Sequence, residues 1–256
     1  ATNMYHSTLG GSHVEGNGSN LVTPAMAWPA NGKEFGSQGV YFDGTSDYLT
    51  VDHAAEMNAL GAFTFDFWVY PTHDGTERQL LQKGNWGTEG GAVWNLLRAT
   101  NDTLKVYWYV NGVNDSGNAI YQSNLTMPIN TWTHVAISRA AGSASVLYYF
   151  NGKYDGTQTL AGTGVLRSHS ADFMISAGYG GAGTGFIGYM DSIRLSNTNR
   201  YSGTSTASNW ANFNQPTAIY GGVLSQTVPT ITFTGTTTPA LASDEDIEYT
   251  DIANTT

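Results

Sequence analysis

Residues 63–70 read FTFDFWVY, and this stretch decides the fold class. Apolar side chains occupy every second position, and the positions between them carry a different set, namely Thr64, Asp66, Trp68 and Tyr70. A period of two places successive side chains on opposite faces of a β-strand, and no helix satisfies it. The stretch therefore predicts a strand with one core-facing row and a second face that carries rings and a carboxylate.

The same alternation recurs along the middle of the chain, in residues 40–42, 132–139, 173–179 and 185–195. Asn-Gly pairs at 111–112 and 151–152 predict hairpin turns, because Asn and Gly adopt positive φ at low cost. No long stretch shows the 3.6-residue period of an amphipathic helix. We therefore predict an all-β antiparallel sandwich of the jelly-roll type.

Composition narrows the classes of partner. Charged residues form only 12% of the 256 residues, and ten basic against twenty acidic residues give a net charge of −10. That charge repels phosphate backbones and anionic lipid, so we expect neither nucleic acid nor a membrane as a partner. The chain has no cysteine, which excludes disulfides and thiolate zinc sites. We also expect no membrane span and no secretory signal, because the sequence shows neither pattern.

Composition also divides the chain into three parts. Residues 1–35 are rich in Gly, Ser and Asn and predict an arm or an incomplete first strand, and residues 36–216 contain the jelly-roll domain. Residues 217–256 predict a strand at 230–233, a Thr-rich linker and an acidic tail, since no Lys or Arg follows Arg200. We expect these flanks to add strands to neighbouring subunits, which favours a homo-oligomer.

Six motifs in a fixed order carry a resemblance to a known family. They are residues 42–49 (FDGTSDYL), 63–71 (FTFDFWVYP), 80–84 (LLQKG), 132–139 (WTHVAISR), 150–153 (FNGK) and 186–195 (FIGYMDSIRL). Together they resemble laminin-G-like, concanavalin A-like jelly rolls over residues 36–205. The last motif, with NRYSG at 199–203 after it, is similar to the variant in bacteriophage virion and tail proteins. The resemblance implies a concanavalin A-like β-sandwich, a fold that hosts lectins, glycosidases and structural modules.

Motifs of the common hydrolases do not occur in the sequence. Glucanases that share this fold place two Glu and an Asp on alternate residues of one strand, whereas none of the seven Glu here precedes an Asp by two positions. The G-x-G-x-x-G match at 178–183 precedes a predicted strand, so no helix N-terminus is available for a pyrophosphate. We predict that the protein is not an enzyme and that His134 is structural.

One pair of carboxylates is a candidate metal site. Asp191 shares the parity of the apolar positions Ile187, Ile193 and Leu195, where a carboxylate must be hydrogen-bonded, paired or metal-bound. The resemblance implies a structural Ca²⁺ near the sandwich edge, with Asp43 and Asp191 at the matching acidic positions. An aspartate that is hydrogen-bonded inside the protein is the alternative, so no cofactor is required.

Aromatic side chains are the candidate ligand contacts. Trp86 lies in the glycine-rich segment 84–91, where burial is hard to arrange, so it predicts an exposed platform for a saccharide or an interface anchor. Trp68, beside Asp66, and the pair Tyr107 and Tyr109 are the further candidates. Ordinary core or subunit packing is the alternative for each of them.

These features favour a non-enzymatic structural protein of a bacteriophage virion, as a capsid decoration, tail or fibre module. Its partners would be other virion proteins and copies of itself, with host-surface glycan as a further partner, and its location would be the virion. The alternative is a secreted carbohydrate-binding module of a bacterial polysaccharide-degrading protein.

Overall fold

The structure is a computed structural model of the 256-residue chain. It describes residues 14–16, 40–45, 47–58, 60–73, 75–84, 91–111, 119–161, 164–178, 184–206, 213 and 231–234. Among these residues, no helix is long and apolar enough to cross a membrane.

Fourteen strands make up the described fold. They are β1 Val14–Gly16, β2 Val40–Asp43, β3 Tyr48–Val51, β4 Phe63–Pro71, β5 Arg78–Gly84, β6 Ala92–Arg98, β7 Thr103–Trp108, β8 Ala119–Thr126, β9 Thr133–Arg139, β10 Ser145–Phe150, β11 Lys153–Thr159, β12 Phe173–Ile175, β13 Ile187–Ser196 and β14 Ile231–Thr234. A 3₁₀ turn, Ala55–Met57, follows β3.

The strands form two sheets, stacked face to face. The six-stranded sheet has the order β11-β10-β9-β4-β13-β2, and the eight-stranded sheet has the order β1-β14-β3-β12-β5-β6-β7-β8. Neighbouring strands are antiparallel except for β1 and β14, which are parallel. The predicted antiparallel β-sandwich of the jelly-roll type is confirmed.

The core lies between the sheets and is aromatic. The predicted inward row of β4 is buried, with Phe63, Phe65 and Phe67 each at most 1% exposed. The ring of Phe63 lies 5.0 Å from that of Trp108 on β7, and the ring of Phe65 lies 5.1 Å from that of Trp94 on β6. The alternate apolar residues within 63–70 therefore form part of the core between the two sheets.

One of the two predicted hairpin turns falls within the described residues. Asn151 and Gly152 join β10 to β11 with φ values of 50° and 76°, as the Asn-Gly pair predicts. The Asn151 side chain also accepts a hydrogen bond from the backbone N–H of His134 at 2.9 Å. Gly112, in the other pair, lies outside the described residues.

Residues 197–206, which we call the strap, follow β13 and contact the outer face of the six-stranded sheet. Thr64 donates its hydroxyl to the carbonyl of Thr198 at 2.7 Å, and Ser138 donates to the side chain of Asn199 at 2.6 Å. The ring of Tyr201, also in the strap, lies on the same outer face. The outer face of β4 is buried from residue 64 to residue 68.

The described parts of both flanks belong to the eight-stranded sheet of the same chain. The strand predicted at 230–233 is β14, Ile231–Thr234, which pairs with β3 on one side and with β1 on the other. Both segments therefore extend the chain's own sheet here, rather than that of a neighbour. The proposed boundaries at 35/36 and 216/217 stay predictions.

Candidate functional site

Asp66 lies in a buried ion pair. Arg194 donates to its two carboxylate oxygens, at 2.8 Å from Nε and 2.5 Å from Nη2, and the Tyr201 hydroxyl donates at 2.9 Å. The Asp66 side chain is 0% exposed. Burial, followed by the nearby charge of Asp66, raises the pKa of Tyr201 well above its usual value, so this hydroxyl stays a donor. Asp66 thus holds the strap to the sheet and presents no surface to a ligand.

Trp68, the other predicted ligand contact on β4, is 1% exposed. Its ring lies 5.2 Å from the ring of His134, which is also buried and has Phe213 at 6.0 Å. The structure therefore favours packing, the alternative that the sequence left open for Trp68. His134 itself is 0% exposed, and its structural role stays a prediction.

Tyr107 and Tyr109 have different environments. Tyr109 is 3% exposed and lies beneath the guanidinium of Arg167, 5.6 Å from its ring centroid. Tyr107 is half-buried on the outer face of the eight-stranded sheet, with the Lys105 ammonium 5.2 Å from its ring. Of this pair, only Tyr107 offers a ring to a ligand. Trp86 lies outside the described residues.

Asp43 and Asp191 do not come together. Asp43 pairs with Ile187 across β2 and β13, and Asp191 lies four residues further along β13, about 13 Å away at the usual rise per residue. No single ion can bind both carboxylates. Among the described residues, no three His, Cys, Asp or Glu side chains are placed to hold a metal.

A bulge explains why the parity of Asp191 misled the sequence analysis. The pairing of β13 with β4 shifts between Asp191 and Arg194, and Ser192 has a φ of 47°. The extra residue moves Asp191 to the outer face while Ile193 points into the core. Asp191 then accepts a hydrogen bond from Ser192 Oγ at 3.1 Å.

The Asp43 carboxylate forms hydrogen bonds within the turn that follows β2. Its carboxylate accepts hydrogen bonds from the Thr45 N–H at 2.8 Å, the Thr45 hydroxyl at 2.7 Å and the Asp47 N–H at 3.1 Å. The Asp43 N–H donates in return to Asp47 Oδ2 at 3.2 Å. The two carboxylates thereby organise the loop between β2 and β3.

Four aromatic side chains lie side by side on the outer face of the six-stranded sheet. We call them the aromatic row: Tyr41 on β2, Tyr189 on β13, Tyr70 on β4 and Trp132, which precedes β9. Ring centroids lie 5.0 Å apart for Tyr41 and Tyr189, 6.1 Å for Tyr189 and Tyr70, and 5.4 Å for Tyr70 and Trp132. All four side chains are half-buried, so each ring keeps part of its surface open.

Strand register builds this row. Tyr189 pairs with Tyr41 on one side and with Tyr70 on the other, so the rings occupy one level of neighbouring strands. At the usual strand spacing, four strands span about 14 Å. Burial raises the pKa of Tyr189 and of Tyr41, and the charges of Asp43 and Asp47 raise that of Tyr41 further. Both phenols are therefore hydrogen-bond donors at neutral pH.

The aromatic row is not predicted from the sequence. Tyr70 occupies the same face of β4 as Trp68 and Asp66, and this shared parity is the indication in the sequence that Tyr70 lies on the outer face. The other three residues come from strands distant in sequence, and the register that aligns them is a tertiary property.

The chain is similar, at low identity, to several solved structures. They include a candidate carbohydrate binding protein of Bacteroides ovatus (20% identity, 64% of this chain and 44% of that chain, TM-score 0.48). They also include a heptameric SAP-like pentraxin of Limulus polyphemus (14%, 82% and 94%, 0.47) and the Ruminococcus gnavus IT-sialidase CBM40 bound to α2,3-sialyllactose (14%, 64% and 92%, 0.47). This chain thus spans less than half of the Bacteroides ovatus chain.

The family assignment rests on sequence. No curated protein matches the chain. Residues 43–204 match the concanavalin A-like lectin/glucanases superfamily, and this segment runs from the end of β2 through β13 into the strap. The chain belongs to the concanavalin A-like lectin/glucanases superfamily.

Proposed function

We propose that this chain is a non-enzymatic glycan-binding module and that the aromatic row is its contact surface. The observation that carries the proposal is the alignment of four half-buried rings on neighbouring strands at centroid distances of 5.0 to 6.1 Å. Aromatic rings provide an apolar platform, and the phenol groups add placed hydrogen-bond donors. Such a surface suits the flat C–H faces and hydroxyl groups of a saccharide.

The placement of acidic residues supports binding without turnover. Glycoside hydrolysis needs two carboxyl groups that flank one glycosidic bond. The strands β3, β5, β6, β7, β8 and β12 contain no Asp or Glu, so this part of the eight-stranded sheet cannot supply that pair. On the six-stranded sheet, Asp66 is held by Arg194 beneath the strap.

A glycan array tests the proposal. Tyr70→Ala and Tyr189→Ala should each weaken binding of the saccharide that the wild type selects by about tenfold, which is about 1.4 kcal/mol. Tyr154→Ala is the matched control, since this ring lies on β11 with its hydroxyl against Thr157. Wild-type protein that binds no saccharide, or row variants that bind as well as Tyr154→Ala, would contradict the proposal.

The proposal includes a setting, a structural component of a bacteriophage virion that assembles with copies of itself and adheres to a host glycan. The low share of charged residues and the resemblance of residues 186–203 to the virion variant support it. A secreted carbohydrate-binding module is the other setting in which the same surface would serve. Mass spectrometry of purified particles and of cleared culture medium separates the two, because a virion component must copurify with particles.

A further inference from the structure

Two carboxylates flank the aromatic row on the outer face of the six-stranded sheet. Asp43 lies two residues after Tyr41 on β2, and Asp191 lies two residues after Tyr189 on β13. The residue between the members of each pair is buried in the core, so both carboxylates lie on the same face as the rings. Each carboxylate is therefore about 7 Å along its strand from a ring of the row.

The two charges lie on opposite sides of Tyr189. Asp43 pairs with Ile187, which precedes Tyr189 by two residues in β13, and it is thus a diagonal neighbour of Tyr189 at about 7–8 Å. Asp191 lies at a similar distance on the other side. A charged group bound against Tyr189 is consequently no further from either carboxylate than about one Debye length, about 8 Å at physiological ionic strength, so salt does not screen it fully.

Neutral groups donate hydrogen bonds to both carboxylates. Asp43 accepts from the N–H of Thr45 at 2.8 Å and from its hydroxyl at 2.7 Å, and Asp191 accepts from the hydroxyl of Ser192 at 3.1 Å. Neutral donors favour the ionised form of a carboxyl group and hold it in place. These contacts therefore keep a negative charge on each side of the row.

The strands that carry the three tyrosines of the row contribute little positive charge. Among β2, β4 and β13, only β13 contains a basic residue, Arg194, and its guanidinium is bound to Asp66. Burial, followed by the charges of Asp43 and Asp47, raises the pKa of Tyr41, so these charges act on a ring of the row. The electrostatic potential at the row is therefore negative.

We propose that Asp43 and Asp191 determine the charge specificity of the aromatic row, which binds neutral saccharides and rejects those that carry carboxylate or sulfate groups. The inference rests on the proposed function, because it concerns the same surface. Repulsion over about 7–8 Å should weaken the binding of an anionic group about three- to tenfold for each carboxylate. Neither carboxylate has to contact the ligand, so the low exposure of Asp191, which is 7%, does not prevent the effect.

Matched pairs of neutral and acidic oligosaccharides test the inference on full-length protein. The probes are manno-oligosaccharides with oligomannuronates, cello-oligosaccharides with oligoglucuronates, and N-acetyllactosamine with its sulfated form, first on an array and then by titration calorimetry. We expect the wild type to bind the neutral member of at least one pair, and the acidic member of that pair about tenfold more weakly or worse. Raising the salt concentration from about 0.05 M to about 0.5 M should narrow this difference, because it screens the repulsion.

Asp43→Asn and Asp191→Asn remove the charges with little change of shape. Each should strengthen binding of the acidic member about three- to tenfold and change binding of the neutral member by less than about twofold. Glu77→Gln is the matched control, because it removes one negative charge beside the eight-stranded sheet, where Glu77 is paired with Lys105 at 3.0 Å. It should leave the affinity for both members unchanged. If Asp43→Asn disrupts its turn, Asp191→Asn carries the test alone.

Two results would overturn the charge specificity while leaving glycan binding in place. The first is a wild type that binds the acidic member of a pair as well as the neutral member, or better. The second is a preference for the neutral member that persists in Asp43→Asn/Asp191→Asn and at high salt, which would make the rejection steric. A wild type that binds no saccharide of either kind would instead contradict the proposed function together with this inference.

Discussion

Two regions on the outer face of the six-stranded sheet differ in the exposure of their side chains, although β4 runs through both. Asp66 lies beneath the strap and Trp68 packs against His134, and both are at most 1% exposed, whereas Tyr70, two residues further on the same face, is half-buried in the aromatic row. Parity along the strand is identical for the three side chains. What separates a packing residue from a candidate binding residue is therefore the set of distant residues that pack on it, not the strand itself.

The covered region contains a buried carboxylate, which is stable there because it is paired with a buried guanidinium. Asp66→Ala should lower the free energy of unfolding by about 3–5 kcal/mol, because it leaves the Arg194 guanidinium buried and uncompensated. Urea unfolding measures the loss. The double variant Asp66→Leu/Arg194→Met should regain most of it. A loss below about 1 kcal/mol for Asp66→Ala would show that the strap does not seal this region.

A close backbone contact holds two strands of the aromatic row together. Gly188 has a φ of 138°, and a Cβ on it would lie 2.2 Å from the carbonyl oxygen of Tyr70. Gly188→Ala should therefore move two strands of the aromatic row apart, destabilise the fold by about 2–3 kcal/mol and weaken glycan binding. Gly61→Ala is the control, because nothing lies within 4 Å of a Cβ there. Equal stability of the two variants in thermal unfolding would contradict this.

Tyr201 connects the strap to the ion pair. Tyr201→Phe removes the hydroxyl that donates to Asp66 and should cost about 1–2 kcal/mol. The folded state raises the pKa of this phenol, so its contribution is complete below pH 10 and is lost as the pH rises above that value. Chemical unfolding between pH 9 and pH 11.5 should show a shallower decline for Tyr201→Phe than for wild type. Parallel declines would remove Tyr201 from the linkage.

The smallest effect on stability is expected in the aromatic row. Tyr70→Ala should cost about 1 kcal/mol or less, because the ring is half-buried and makes its contacts at the surface. A cost as large as that of Asp66→Ala would assign Tyr70 to the core instead. Urea unfolding of the two variants under the same conditions makes this comparison.

Local patterns in the sequence were sufficient to predict strands and turns, but not to predict which side chains form the exposed surfaces. The alternation of residues 63–70 predicts β4, and the pair Asn151-Gly152 predicts the turn between β10 and β11, because both depend on neighbouring residues alone. The bulge at Ser192 shifts the face of every later residue in β13. Its position is not encoded by parity, so Asp191 was placed on the wrong face.

Burial beneath the strap and alignment of the aromatic row both arise from contacts between distant residues. Thr64 meets Thr198, and Tyr41 meets Tyr189, across more than a hundred residues of chain. Residue type and parity therefore point to Asp66 and Trp68, which are the covered members of the outer face, and do not single out Tyr70.

A crystal structure of the protein with the oligosaccharide that it selects from a glycan array tests the central claim most directly. We predict that sugar rings lie against Tyr189 and Tyr70, with hydroxyl groups within hydrogen-bond distance of the phenols. A saccharide bound elsewhere while the aromatic row is bare, or the lack of any bound glycan on a broad array, would contradict the account.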